Sequence, residues 1–113
     1  MNKIITGDTV IFTFSILYEG AVASKEAPDL SESDVVFAIK RRKTDPDSKV
    51  FVKKTIENPD TNILNFELTA QETSRMVEGT YSACCKIYFD SGEEKTVWMD
   101  DLVVIKGVLG AKD

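Results

Sequence analysis

The chain has 113 residues, a length that suits one folded domain. Its formal net charge of -5 disfavours a general role in binding nucleic acid or anionic membranes. No apolar run approaches the ~20 residues that cross a bilayer. The N-terminus lacks the apolar segment of a secretory signal, so we expect no secretion by a signal peptide. The sequence contains no histidine, which removes the commonest general base and the commonest metal ligand.

The first part of the chain predicts one long strand followed by a loop. Apolar side chains recur at every second position, which is typical of a half-buried strand. Its predicted inward face is Val10, Phe12, Phe14, Ile16 and Tyr18. Residues 19–34 contain glycine, proline and several acidic side chains, so we expect a long exposed loop there.

The middle of the chain predicts three further strands, at 35–40, 50–56 and 64–68. In the first of these, Val35, Phe37 and Ile39 are predicted to face inward. Proline together with aspartate or asparagine predicts turns at 45–48 and 58–60, because proline presets φ and the short polar side chains cap nearby amides. This part of the chain therefore shows the spacing of short, turn-connected strands.

Residues 68–85 predict a corner that carries the chain from one sheet to another. Thr69 and Glu72 have the spacing of a capping box, in which each side chain bonds the backbone amide of the other residue. A short helical turn is predicted near residues 70–77, and Gly79 can take the positive φ that closes it. Tyr81 either hydrogen-bonds back to this corner, as in many immunoglobulin-like domains, or is an ordinary core tyrosine.

The C-terminal part predicts a hairpin. Residues 81–89 alternate regularly, 90–93 have the composition of a tight turn, and 97–104 form the return strand. The alternation slips at Asp100 and Asp101, where we expect a bulge or a kink. Residues 107–113 are expected to form a flexible tail or to join a partner.

These elements together predict an all-β fold. About seven strands with turn signals every 8–12 residues favour an immunoglobulin-like antiparallel β-sandwich with one short helical turn. We find no internal repeat and no linker, so residues 1–113 are predicted to form a single domain.

The basic run Lys40, Arg41, Arg42 and Lys43 is a candidate interface. With three nearby lysines it would suit phosphates or an acidic partner. The alternative is a solvated strand end whose charges block edge-to-edge aggregation. The acidic balance of the chain favours the alternative, because nucleic-acid-binding domains usually carry net positive charge.

Other reactive side chains have equally plain structural explanations. Cys84 and Cys85 are adjacent, so in a strand they face opposite sides, and we expect free thiols with one in the core. Hairpin pairing could bring Glu94 and Asp100 near each other, and carboxylates suit Ca²⁺, but no ligand motif surrounds them. We therefore assign no catalytic, cofactor-binding or metal-binding residue.

Tyr88 and Trp98 are the aromatic residues expected to be most exposed. Together they would offer a platform for stacking on sugars or an anchor for a protein partner. Packing between the sheets is the alternative for both side chains.

Several segments carry a resemblance to a known family. Residues 5–16, 34–40 and 68–83 read ITGDTVIFTFSI, DVVFAIK and LTAQETSRMVEGTYSA, and are followed by the hairpin DSGEEKTV and the exit strand LVV. In this order they resemble small immunoglobulin-like domains of tailed bacteriophages and prophages. The N-terminal domain of phage baseplate upper protein is the nearest in pattern. In these phage domains the long loop usually contains a leucine followed by serine or threonine, and Leu30 and Ser31 occupy that place. Met76 and Glu78 occupy positions where the phage domains usually have leucine and proline.

This resemblance implies a structural or assembly protein of the virion, in a tail, baseplate or capsid-associated setting. It implies contacts with other phage structural proteins and no enzymatic activity, and it leaves open whether further copies of this chain are among the partners. We expect no cofactor, and the acidic net charge argues against nucleic acid or membrane as partners. The expected location is the virion or the cytoplasm of the bacterial host. The matching positions are structural, so no functional residue transfers. The alternative function is a carbohydrate- or cell-surface-binding immunoglobulin-like module that uses Tyr88, Trp98 and the loop 19–34; an enzyme is the least favoured.

Overall fold

A computed structural model describes residues 2–16 and 30–112, together with the backbone of 18–19 and 25–26. In this part of the chain the strands are β1 (Asn2–Ile5), β2 (Val10–Ser15), β3 (Tyr18–Glu19), β4 (Lys25–Glu26), β5 (Asp34–Lys40), β6 (Val52–Glu57), β7 (Ile63–Leu68), β8 (Gly79–Tyr88) and β9 (Glu94–Ile105). One α-helix, α1, covers Ala70–Ser74, and a short 3₁₀ turn covers Asp47–Lys49. No helix among these elements has both the length and the apolar character needed to cross a bilayer.

The strands form a β-sandwich, which confirms the predicted all-β fold. The large sheet has the strand order β1-β9-β8-β5-β6, and the small sheet pairs β2 with β7. Strands β3 and β4 form a separate short ladder. All neighbours are antiparallel except β1 and β9, which run parallel with Ile4 opposite Val104. The sandwich is therefore not antiparallel throughout, and β1 is a strand that the sequence pattern did not predict.

The core lies between the two sheets and uses the predicted inward faces. Strand β5 buries Val35, Phe37 and Ile39 completely. Strand β7 contributes Leu64, Phe66 and Leu68, each of which is at most 2% exposed. Across this layer the rings of Phe12, Phe14, Phe37, Phe66 and Trp98 pack with centroids 4.8–6.3 Å apart. Alternation predicted these strands correctly because one face of each is covered by the opposite sheet.

The predicted exposed loop 19–34 is wrong at its C-terminal end. Leu30 is 2% exposed and belongs to the core, and Ser33 is 4% exposed. The Ser33 carbonyl accepts a hydrogen bond from Asn58 N at 2.8 Å, which ties this segment to the start of the turn after β6. The first long strand ends at Ser15, and the Tyr18 side chain and most of the loop lie outside the described residues.

The corner before β8 has the predicted capping box. Thr69 Oγ1 accepts from Glu72 N at 3.2 Å, and Glu72 Oε1 accepts from Thr69 N at 2.9 Å. The helix is shorter than predicted and has its C-cap at Arg75. Gly79 does have a positive φ of 141°, but it opens β8 and is not the helix cap.

Tyr81 makes the hydrogen bonds of a tyrosine corner. Its hydroxyl donates to Val77 O at 2.9 Å and accepts from Val77 N at 3.0 Å, and the side chain is 3% exposed. Of the two alternatives for Tyr81, the structure shows the one in which the hydroxyl bonds back to the preceding corner. The hydroxyl thereby fixes the path of the chain between α1 and β8.

A buried threonine that the sequence analysis did not single out joins this corner to the N-terminus. Thr73 is fully buried, and its Oγ1 accepts from Gly7 N at 3.0 Å and donates to Asp8 O at 2.7 Å. The partners are more than sixty residues away in sequence. Because these bonds are long-range, no local pattern indicates them.

The predicted bulge at Asp100 and Asp101 is wrong. Both residues keep regular register with β8, opposite Ala83 and Ser82. The irregularity lies earlier in β9, where Cys85 pairs with Trp98 but Lys86 pairs with Thr96. Val97 is thus the extra residue, and its insertion turns Trp98 toward the core.

The C-terminal segment, residues 107–112, lies beside the end of β1 and beside α1. Gly107 N donates to Thr6 Oγ1 at 2.8 Å, and Ala111 N donates to Ser74 Oγ at 3.3 Å. Val108 and Leu109 between them are almost fully exposed. The flexibility expected for this segment stays a prediction.

Candidate binding surface

The face of the large sheet that points away from the small sheet is the candidate site, and we call it the outer face. It is built from the residues that alternate with the buried ones along β5, β6, β8 and β9. Its members are Asp34, Val36, Ala38, Lys40, Lys53, Thr55, Glu57, Thr80, Ser82, Cys84, Lys86, Tyr88, Glu94, Thr96, Met99, Asp101 and Val103. The face mixes apolar and charged side chains instead of being uniformly polar.

A shallow groove of about 250 Å³ runs across this outer face. Its floor contains Val36, Ala38 and Cys84, and its walls contain Lys40, Asp47, Val50, Lys53, Lys86, Tyr88 and Thr96. The floor is low because alanine and cysteine are small and sit side by side in register. Lysine side chains around an apolar floor suit a ligand that combines apolar and acidic groups.

The four residues of the basic run 40–43 do not form one patch. Lys40 turns onto the outer face, where its Nζ bonds Asp45 O at 2.9 Å and Asp47 Oδ1 at 2.6 Å. The hydrogen bond from Lys40 holds the pKa of Asp47 below its usual value. Arg41 turns the other way, with its guanidinium carbon 4.6 Å from the Tyr81 ring centroid. Arg42 is exposed, and Lys43 is exposed beside the outer face, where it lines a depression together with Lys40.

The two candidate aromatic residues lie on opposite faces of the large sheet. Trp98 faces inward opposite Cys85 and packs 5.2 Å from Phe14 between ring centroids. Tyr88 is 39% exposed on the outer face, with Lys86 Nζ 5.1 Å from its ring centroid. They therefore form no common platform, and Tyr88 alone contributes to the groove.

The cysteines are free thiols divided between core and surface, as predicted. Burial raises the pKa of the Cys85 thiol to about 12, and burial also raises the pKa of the half-buried Cys84 thiol. Both therefore carry their protons at neutral pH, where a nucleophilic cysteine needs a thiolate. Cys84 acts in the groove as a small apolar floor residue.

The acidic side chains near the hairpin are spread out. Glu94 and Asp100 belong to the same strand and stand about 20 Å apart at the ~3.3 Å rise per strand residue, so hairpin pairing does not bring them together. Glu94 instead pairs with Lys86, with Oε1 and Nζ 2.8 Å apart. Across the described residues, no group of three His, Cys, Asp or Glu side chains is placed to hold a metal ion.

Sequence reasoning found part of this surface and missed the rest. Lys40 and Tyr88 were candidate interface residues and line the groove, whereas the floor residues and Met99 were not singled out. The available signal was the set of outward-facing residues on β5 and β8, where small or apolar side chains occupy a face expected to be polar.

In comparisons with known proteins, no family model, curated protein or solved structure matches this chain.

Proposed function

We propose that this chain is a non-enzymatic module that binds a protein partner through its outer face. The observation that carries the proposal is the exposed apolar surface in the middle of a charged sheet. Met99 is 62% exposed there, beside the small floor residues Ala38 and Cys84. Apolar groups concentrated on one face and rimmed by charges are typical of protein-binding surfaces.

The setting that we propose for this module is a bacteriophage or prophage particle, in a tail, baseplate or capsid-associated structure. The support is the resemblance of the sequence segments to phage immunoglobulin-like domains. The partners would then be other structural proteins of the particle, and assembly would need no catalysis. The raised pKa values of both thiols agree with a binding role, because they oppose nucleophilic chemistry.

Carbohydrate binding is the weaker candidate. It was motivated by a stacking platform made of Tyr88 and Trp98, and these side chains lie on opposite faces of the sheet. A single partly exposed tyrosine beside a lysine offers one stacking surface only.

Phage particles and assembly intermediates purified from cells that produce the chain provide the test. We expect mass spectrometry to find the chain in one of these fractions, and its absence from all of them would overturn the phage setting. Ala38→Lys fills the groove floor and is expected to lower incorporation by about tenfold or more, equivalent to ~1.4 kcal/mol of contact energy. Ile11→Lys, on the exposed face of the small sheet, is the control. Equal incorporation of the two variants would show that the outer face is not the contact.

A further inference from the structure

The edge of β2 that faces away from β7 carries backbone groups that bond no other residue in the described part of the chain. Ile16 N donates to Asn62 O at 2.9 Å, in the register of the β2–β7 ladder. In an antiparallel ladder, the residues that bond the partner strand recur at every second position. Ile11, Thr13 and Ser15 therefore direct their N–H and C=O groups away from β7, where no described residue meets them. We call this row of three residues the free edge.

The free edge lacks the features that protect the other strand edges among the described residues. Natural sheets guard an edge with charged side chains, proline, bulges or very short strands. β2 has none of these over its six residues. The other edges carry Lys3 in β1, Lys53, Lys54 and Glu57 in β6, Glu67 in β7, and Lys95 with the inserted Val97 in β9, and β3 and β4 have only two residues each. An unprotected edge is one that another strand can extend.

The free edge lies on the side of the sandwich where β9 runs. Phe66 of β7 packs on Phe37 of β5, with ring centroids 5.5 Å apart. Phe14 of β2 packs on Trp98 of β9, with ring centroids 5.2 Å apart. Because β7 lies toward β5 and β2 toward β9, the edge of β2 away from β7 faces the β9 side.

An apolar slot opens between the two sheets along this side. β1 pairs with β9 only over 102–105, so no described strand lies beside residues 94–101. The slot has a volume of about 370 Å³ and is lined by residues 14–16 and 95–98. The two aromatic rings in this lining are only partly buried. A strand placed along the free edge would send every second side chain into the slot.

We propose that an extended segment of a partner protein joins the small sheet as a third strand along the free edge. The row of N–H and C=O groups selects an extended backbone, because a strand presents complementary groups at the same spacing. The slot selects apolar side chains at every second position of that strand. Lys95 is exposed at the slot and forms no ion pair with a described residue, so an acidic side chain at the end of the strand complements it. This surface is separate from the outer face, so the inference does not rest on the proposed function.

A synthetic peptide in which valine and threonine alternate between terminal glutamates, with both ends blocked, is the probe. Titration of the full chain, followed by Trp98 fluorescence, should show saturable binding with a Kd between about 1 μM and about 1 mM, as expected for a short segment that is ordered on binding. The amide hydrogens of Ile11, Thr13 and Ser15 should exchange fast in the free protein and at least about tenfold more slowly in the complex, as read by NMR. The amides of β7 that face away from β2 should stay fast.

Thr13→Pro removes the central donor of the free edge. Its N–H bonds no described residue, so the substitution spares the β2–β7 ladder and should weaken peptide binding by at least about tenfold. Asn65→Pro is the matched control, because Asn65 lies opposite Thr13 and its N–H faces the other edge of the small sheet. Both variants lose the hydrogen bond that Thr13 Oγ1 donates to Asn65 Oδ1 at 2.7 Å. Their melting temperatures should therefore agree, and Asn65→Pro should keep the affinity of wild type.

Further comparisons separate backbone pairing from other contacts. A peptide with alternate amides N-methylated keeps its side chains but loses donors, so it should bind at least about tenfold more weakly. Ile11→Lys changes an outward side chain and keeps the backbone of the free edge, so binding should stay within about threefold of wild type. Ala38→Lys on the outer face should not change peptide binding, so this inference and the proposed function can fail separately.

Three results would overturn the proposal. The first is the absence of saturable binding up to about 1 mM peptide, and the second is an equal loss of binding in Thr13→Pro and Asn65→Pro. The third is protection of the free-edge amides without peptide. Protection in dilute protein would show that another segment of the chain covers the edge, and protection that grows with protein concentration would show that a second copy does.

Discussion

Tyr81→Phe removes one hydroxyl from the corner that leads into β8. The ring stays in place, and with it the contact between Arg41 and the aromatic face. What is lost is the pair of hydrogen bonds to Val77, at 2.9 and 3.0 Å. The substitution therefore measures the contribution of the tyrosine corner by itself.

The expected loss of stability depends on whether the backbone amide and carbonyl of Val77 find other hydrogen-bond partners once the hydroxyl is removed. A net hydrogen bond contributes about 1 kcal/mol, and leaving a fully buried partner unpaired costs about 1–3 kcal/mol. The Val77 side chain is 70% exposed, so water can reach part of this segment and compensate. We expect Tyr81→Phe to lower the free energy of unfolding by about 1–2 kcal/mol, and the melting temperature by roughly 4–8 °C.

Urea unfolding followed by tryptophan fluorescence measures this change. Trp98 is the single tryptophan of the chain and packs among the rings of Phe12, Phe14 and Phe37, so its emission reports the sandwich core. The denaturant slope should stay that of wild type, because the same surface is exposed on unfolding.

Tyr88→Phe is the matched control. The Tyr88 side chain is 39% exposed, and its hydroxyl bonds no described residue, so removing it should change stability by less than about 0.5 kcal/mol. If Tyr81→Phe also changes the free energy of unfolding by less than about 0.5 kcal/mol, the hydroxyl does not hold the corner and the reasoning is refuted.

Three other substitutions or treatments test the remaining contacts. Thr73→Val keeps the shape but leaves two backbone partners of the β1–β2 turn unpaired, so thermal unfolding should show a loss of about 1–3 kcal/mol, and an unchanged transition would contradict this. The hydrogen bond from Lys54 to Glu72 holds the pKa of that carboxyl below its usual value, so its stabilisation is present above the unfolded pKa and is lost as pH falls through the folded pKa. Urea midpoints of wild type and Glu72→Gln should therefore converge from about pH 6 to about pH 3, and a constant difference would refute the linkage. Iodoacetamide should modify Cys84 slowly and faster with rising pH, and Cys85 only after unfolding, as read by mass spectrometry; labelling of both in native protein would contradict their placement.

Features that depend on neighbours in sequence were predictable from the sequence. The capping box joins residues three apart, and the hairpin after Tyr88 closes with Gly92 at a φ of 91°. The inward faces of β5 and β7 also follow from alternation, because each strand has one face against the opposite sheet. Such signals act within a turn or a strand, so they do not depend on which strands become neighbours.

The candidate site was only partly predictable. Alternation of apolar residues identifies the buried face of a strand, but it does not indicate which exposed residues on the other face belong to a site. Lys40 and Tyr88 attracted attention as a charge and an aromatic ring. Ala38, Cys84 and Met99 attracted none, since each is unremarkable in its own strand. Their significance arises when β5, β8 and β9 pair in register and place them in one row.

By itself, then, the sequence determined the fold class, the inward-facing residues of its main strands and the capped corner before β8. Tertiary structure alone decided that β1 pairs in parallel with β9, that Thr73 bonds the turn after β1, and that Val97 is the inserted residue that turns Trp98 inward. The physical reason is range. Local hydrogen bonds and alternation are set by a few adjacent residues, whereas strand register is set by the packing of the whole sandwich. The outer face exists only at that second level.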